Sequence, residues 1–339
     1  MQSRIEAANR TDNLPLDQAL YQMGLTLATS NAILDPRYAQ VRGTETPRFW
    51  ARETVRVNWN TLVLLNSQLK AAARRSQTTK KAKISSKKSL EPENAQSEEP
   101  ATSSHTATVS TILESISSDR NLRAAHVSLV SSAPALLPDH YVLYKATAAV
   151  EMEDWISEDG DVSIEGLATF PGGDFNPNSL AYYWTLERAT AQQYHGYASI
   201  RCPYAEIWLL EVQIPNAFIS SLTVRELWFS RDWKEFIWYC RKLYQPPSKY
   251  DQFRKPGGAD LIQGHICKSH SHTITKIKKD DIQDRMDANN VMVNPDGQKV
   301  SQWAFVQPES TLRLAREIRG KIHVEISPPA ISIATTVNK

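Results

Sequence analysis

The residues best suited to chemistry in this 339-residue chain are few and scattered. His265, Cys267, His270 and His272 offer three imidazoles and a thiol, a set that zinc would accept. Their spacing matches no usual ligand pattern, and the Ser/His/Lys surroundings read as an exposed loop, so no metal site is assigned. The three cysteines, Cys202, Cys240 and Cys267, are odd in number and lack CxxC spacing. A disulfide framework and a thiolate zinc site are both disfavoured. There is no Walker A loop, GxGxxG, HExxH or GxSxG, and no kinase HRD and DFG set. Three separated segments remain. The first is Leu143-Tyr-Lys-Ala-Thr147. The second is Gly172-Gly-Asp-Phe-Asn176, followed by Ala181-Tyr-Tyr-Trp-Thr185 and then Ala191-Gln-Gln-Tyr194 on a helix. The third is Gln302-Trp-Ala-Phe305. Between the last two lie Trp233-Lys-Glu-Phe-Ile-Trp-Tyr-Cys-Arg241 and Asp260-Leu-Ile-Gln-Gly264.

The elements that must position these residues follow from composition and periodicity. Hydrophobic residues make up 41% and charged residues 22%, which is globular and excludes wholesale disorder or a fibrous repeat. A net charge of +2 does not point to nucleic acid. No apolar run reaches the ~18 residues of a membrane span, and Met1 to Asn13 lack a signal-peptide core. A soluble intracellular protein, cytoplasmic or nuclear, is expected. Of 29 aromatic residues, 24 lie between Tyr141 and Phe305 and none between Asn60 and His140. Aromatic side chains supply much of a core's burial, so the main domain is placed at 141–327. Upstream, Leu16, Leu20, Met23 and Leu27 predict a helix that Asp35-Pro36 stops. A second helix is predicted from Thr46-Pro47, fading near Arg74, so an N-terminal helical segment spans 1–75. It is expected to pack on a partner or on the main domain. The Lys-rich, then Glu/Ser/Thr-rich stretch 76–108 reads as a disordered linker, 109–140 as a helical connector and 328–339 as a tail. A fragment starting near 109 is expected to stay folded.

Within the main domain, 141–147, 205–214, 260–266, 300–306 and 321–326 read as strands. Residues 186–198, 232–244 and 309–318 read as helices. Strands outnumber helices and no βαβ rhythm recurs, so the class is α+β with mostly antiparallel sheets.

The order of the quoted segments resembles the ADP-ribosyltransferase superfamily. More narrowly, it is similar to a largely bacterial branch of unknown function. That branch has an LYHG-like strand, a DFGxGFYLT-like segment, a W-x-x-F-I helix ending in Arg, a D-x-x-x-G strand and a Q-x-x-F strand. The resemblance covers about 141–315. It implies a split two-sheet core with a cleft for NAD, the substrate, and transfer of ADP-ribose to a macromolecular acceptor, or NAD hydrolysis. A protein acceptor is expected over nucleic acid. The alternative is an inactive fold that binds NAD or ADP-ribose, or a protein-interaction module. Carried over, Lys145 takes the first-motif His or Arg position, and Ala146 the small residue whose backbone holds the nicotinamide amide. Tyr183 and Thr185 take the YxT positions, with Tyr183 stacking on nicotinamide. Tyr194 is the aromatic on the next helix, facing the cofactor, and Gln302 stands where many of these enzymes have the catalytic glutamate.

Cleavage of the nicotinamide–ribose bond develops positive charge on the ribose carbon, which a carboxylate usually stabilises. The Gln302 amide can hydrogen-bond a hydroxyl but supplies no negative charge and takes no proton. Lys145 lacks the plane of His and the fork of Arg. Ala146 in place of Gly narrows the backbone approach. On these grounds Gln302→Glu is expected to disturb packing little and to release nicotinamide as fast as the parent or faster, and Tyr183→Phe to be nearly silent in NAD binding.

Overall fold

The structure, a computed structural model, describes residues 16–86, 127–128, 135–148 and 164–331. The first apolar repeat forms two helices rather than one, α1 (Leu16–Gln22) and α2 (Leu27–Leu34). Gly24, at φ +82°, turns the chain between them in a conformation that glycine adopts without steric cost. Thr26 restarts the helix by accepting the Thr29 N–H. Asp35-Pro36 ends α2 as predicted. Thr46 caps α3 (Pro47–Ser86), accepting the Phe49 N–H at 3.0 Å, with Pro47 at the first helical position. The helix continues to Ser86, past the expected fade at Arg74 and the boundary at 75. Its second half is rich in Ala, Lys, Arg and Gln, which sustain a helix by propensity without an apolar stripe. The rest of the expected linker, most of the connector and the tail beyond 331 lie outside the described residues.

Eight strands form two four-stranded sheets among the described residues. The first sheet has the order β1 (Val127–Ser128), β8 (Ile322–Ser327), β4 (Ile207–Pro215), β2 (His140–Ala148). The second has the order β3 (Tyr182–Trp184), β7 (Ser301–Phe305), β6 (Leu261–His265), β5 (Val224–Leu227). The β1–β8 and β5–β6 pairs are parallel and the other four are antiparallel. The protein is therefore α+β, with mostly antiparallel pairing. β1 replaces part of the expected connector helix, because Val127 and Ser128 gain a ladder against Ile322 and His323. β3 and β5 have no counterpart among the predicted strands. β3 has only three residues, and the Val-Arg-Glu-Leu of β5 is too short and too charged for alternation to mark it.

The sheets are joined by a single described bridge, Tyr144 to Thr185, with reciprocal backbone hydrogen bonds of 2.8 and 3.0 Å. One apolar core lies between them, with Leu143, Leu210 and Val324 from one sheet and Tyr182, Trp184, Trp303 and Phe305 from the other. The opposite face of the second sheet, carrying Ile262 and Ala304, packs on α5 (Arg231–Arg241) through Trp233, Phe236 and Ile237. The outer face of the first sheet is covered by α4 (Arg188–Arg201), where Ala148 and Ile207 pack with Val57, Cys202 and Ala205. The N-terminal helices dock on this body. Leu20, Met23, Ile33, Val41 and Trp50 form one core with Tyr197, Ile266, Met292 and Val300.

Candidate functional site

β2 and β3 bring the first two sequence segments together. The register places Lys145 one residue beyond the Tyr144–Thr185 bridge, and its ammonium donates to the Tyr183 carbonyl at 3.2 Å. Ala146 is half-buried on the sheet face that α4 covers. Strand alternation puts Tyr183 on the same face of the second sheet as Ala304 and Gln302, opposite the inter-sheet core. There the side chains meet Asp174 from the Gly-Gly-Asp-Phe loop.

Asp174 and Arg241, the last residue of α5, form a buried ion pair in which every acceptor site is used. Arg241 Nε and Nη2 donate to Asp174 Oδ1 at 2.9 and 2.6 Å. The other carboxylate oxygen accepts the Cys267 N–H and the Gln302 amide, both at 2.8 Å. Arg241 also donates to the Ser269 and Cys267 carbonyls, each at 2.8 Å. Such complete hydrogen bonding is what allows two charges to be buried at all. Burial works against the Arg241 charge, yet Asp174 outweighs it and holds the guanidinium pKa above its ordinary value. The pair ties the 172–176 loop, the end of α5 and the 265–270 segment into one unit.

Tyr183 is held by this loop. Its hydroxyl accepts the Phe175 N–H at 2.8 Å and donates to Asn176 Oδ1 at 2.9 Å. Asn176, fully buried, donates in turn to the Thr169, Phe170 and Ser179 carbonyls. Burial, then the Asp174 charge, push the Tyr183 phenol well above its usual pKa, so it acts as a neutral hydroxyl. Tyr194, on α4, is likewise raised by burial and hydrogen-bonded by Thr44. Gln302 is buried, and its amide nitrogen serves Asp174 and, at 3.1 Å, the His265 carbonyl. Thr185 is also committed. Its hydroxyl lies 2.5 Å from Glu187 Oε2 and 3.0 Å from the Ser301 carbonyl, while Glu187 Oε1 accepts the Ser301 N–H and hydroxyl.

The structure thus gathers Tyr183, Tyr194 and Gln302 around Asp174–Arg241, with Lys145 beside the Tyr183 backbone. The Thr185 hydroxyl and the Gln302 amide hold the protein's own framework. Three further residues belong to this site. Asp174 and Arg241 stand in the quoted motifs, where their separation of 67 positions conceals the pair. Glu45 gives no signal in sequence, being one carboxylate between two threonines. It is half-buried, its backbone carbonyl faces His270 Nδ1 at 3.2 Å, and burial raises its carboxyl to about 7.

The histidine and cysteine cluster is dispersed by the fold. His265 Nδ1 accepts the Phe229 N–H at 3.0 Å, and burial raises the Cys267 thiol to about 11. Among the described residues no group of three His, Cys, Asp or Glu side chains is placed to hold a metal. A cavity of about 450 Å³, lined in part by Trp228, Phe229, Asp232 and Tyr250, includes none of the six sequence-predicted site residues. No described helix is long and apolar enough to cross a membrane. Comparison of the chain with protein-family models, with curated proteins and with solved structures finds no match in any of the three.

Proposed function

We propose that the chain binds NAD where its two sheets part and splits it, transferring ADP-ribose to a macromolecular acceptor, a protein before a nucleic acid, or to water. The observation that carries this reading is the Tyr144–Thr185 junction. Residues from two motifs far apart in sequence, Lys145 and Tyr183, meet beside it, with Tyr194 on the next helix. In this reading the Tyr183 ring stacks on the nicotinamide, since a half-buried aromatic held by its hydroxyl presents a fixed face. Lys145 supplies a point charge toward the pyrophosphate or a ribose hydroxyl. Ala146 lends its backbone to the carboxamide and Thr185 shapes the strand end. Gln302 acts at one remove, fixing Asp174 and through it the loop that holds Tyr183.

The alternative, an inactive NAD- or ADP-ribose-binding fold, is favoured by one observation: the Gln302 amide nitrogen is already used internally. Incubation with nicotinamide-labelled NAD separates the two. Released nicotinamide supports turnover, and saturable binding without release supports the inactive binder. Neither binding nor release would remove NAD from the account.

A further inference from the structure

The outer side of α3 belongs to none of the described apolar cores. Trp50, Ala51, Thr54, Val57 and Thr61 bury the inner side against the body, where Asn58 also donates to the Arg201 carbonyl at 3.1 Å. Past Thr61 no described residue of the helix is buried. Trp59 is 65% exposed, and Leu62, Val63 and Leu69 are each about half exposed. At ~100° per residue these four fall within about a third of the helix circumference, turned away from Thr54, Val57 and Thr61. A contiguous apolar stripe of this kind marks a contact surface. The same half of the helix is basic, with Lys70, Arg74, Arg75, Lys80, Lys81 and Lys83 and no acidic residue from 62 to 86.

The chain between α3 and β1 carries the complement. Val109, Ile112, Leu113 and Ile116 recur at helical spacing. Ile116, Leu113 and Ile112 repeat in reverse the three-then-one spacing of Trp59, Leu62 and Val63, the match that antiparallel pairing requires. Glu91, Glu93, Glu98, Glu99, Glu114 and Asp119 stand in a stretch, 89–119, that holds no Lys or Arg. The chain enters and leaves at fixed points, Ser86 of α3 and Val127 of β1. From Ser86 to Val109 it can reach ~76 Å, against the ~30 Å of helix that leads back to Asn66. Val127 pairs with Ile322, which pairs with Val212, five positions along β4 from Ile207. That places Val127 ~20 Å from Ile207, and the chain from Ile116 to Val127 can reach ~36 Å. Ile207 lies in one core with Val57 of α3, two residues before Trp59.

We propose that the chain's own segment 109–116 docks antiparallel on the outer face of α3, Ile116 against Trp59, Leu113 against Leu62 and Ile112 against Val63. The acidic stretch 91–99 then runs past the basic half of the helix. A second copy is the weaker occupant, because α3 has no acidic residue but Glu53, and a copy would set basic helix against basic helix in either direction. The proposal does not depend on the NAD reading.

The test is hydroxyl-radical labelling of Trp59 in the full chain, read by mass spectrometry, beside the same chain carrying Ile112→Asp and Ile116→Asp. Trp59 is expected to label at least about threefold more slowly in the parent, as for a face covered most of the time, while Trp228 labels alike in both. Equal Trp59 rates overturn the proposal, whether the face is open in both chains or held by another partner. Protection of Trp59 that grows with protein concentration also overturns it, by assigning the face to a second copy. A disulfide pair gives a reading that does not rely on that variant, since the three native cysteines are buried. Leu62→Cys with Leu113→Cys should close an intrachain bridge under mild oxidation at least about tenfold faster than Leu62→Cys with Ser103→Cys, because docking raises the local concentration of the first pair alone. Comparable rates, or bridges between chains, overturn the proposal.

Discussion

At the scale of residues, Tyr183 both presents its ring and closes a loop, and substitution separates the two. Because its hydroxyl satisfies the Phe175 N–H, Tyr183→Phe is expected to cost stability even where NAD binding is nearly silent. We expect it to lose about 1–2 kcal/mol in urea unfolding, the cost of an orphaned buried donor, while keeping NAD affinity. Tyr183→Ala should also weaken NAD by ~1–3 kcal/mol, by analogy with base–aromatic stacking. For Gln302→Glu the hydrogen bond to Asp174 gives a different expectation. Its new carboxyl would replace an amide that donates to Asp174 at 2.8 Å, setting two carboxylates side by side. The new group should titrate well above the usual carboxylate range, and the variant should lose about 2–4 kcal/mol at neutral pH, less in acid, without faster nicotinamide release. Glu45 gives the opposite sign. Its folded-state carboxyl is raised from 4.5 to about 7, so the folded protein binds the extra proton and stability falls as pH climbs through that window. Glu45→Gln should therefore be more stable than the parent by roughly 2–3 kcal/mol at pH 8, and by almost nothing at pH 4, in chemical unfolding.

At the scale of elements, five of the seven strands of the main domain and its long helices were legible because their signals are local. Leu143, Leu210, Trp303 and Val324 sit in alternating runs, and α5 begins at Ser230, which caps it by accepting the Trp233 N–H. The Thr46-Pro47 start of α3 was legible for the same reason. The break at Gly24 and the extension of α3 to Ser86 were not, since the first depends on one backbone angle and the second on propensity alone. How the N-terminal elements dock hinges on Gly43. We expect Gly43→Ala to lift the 39–46 segment from the 268 peptide. Hydrogen exchange should quicken across residues 19–51 while the two sheets keep their protection, because no sheet hydrogen bond passes through that contact.

For the whole molecule, the expected independence of a fragment from 109 onward meets a specific obstacle in the shared N-terminal core. Tyr197, Ile266, Met292 and Val300 are covered by side chains from residues 20–51, in one core. Removing the first 108 residues strips six large apolar partners, each worth roughly 1.5–3 kcal/mol when fully buried. The fragment should unfold at least about 10 °C below the full chain in calorimetry, or aggregate through the uncovered patch. A fragment with the parent's melting temperature would show that the N-terminal core adds nothing to the body.

Read alone, the sequence determined the α+β class, five of the eight strands in their order along the chain, the placing of the aromatic-rich core and the motif residues Lys145, Tyr183 and Gln302. All of these rest on periodicity and residue type within short windows. Only the tertiary structure decided what those residues do with their polar atoms. Asp174 claims Arg241 and Gln302 across 67 and 128 positions, Thr185 claims the Ser301 carbonyl across 116, and the Glu45 carbonyl faces His270 across 225. A buried polar group must find its partner wherever the chain returns, and that return is governed by the packing of whole elements, not by the residues next to it in sequence.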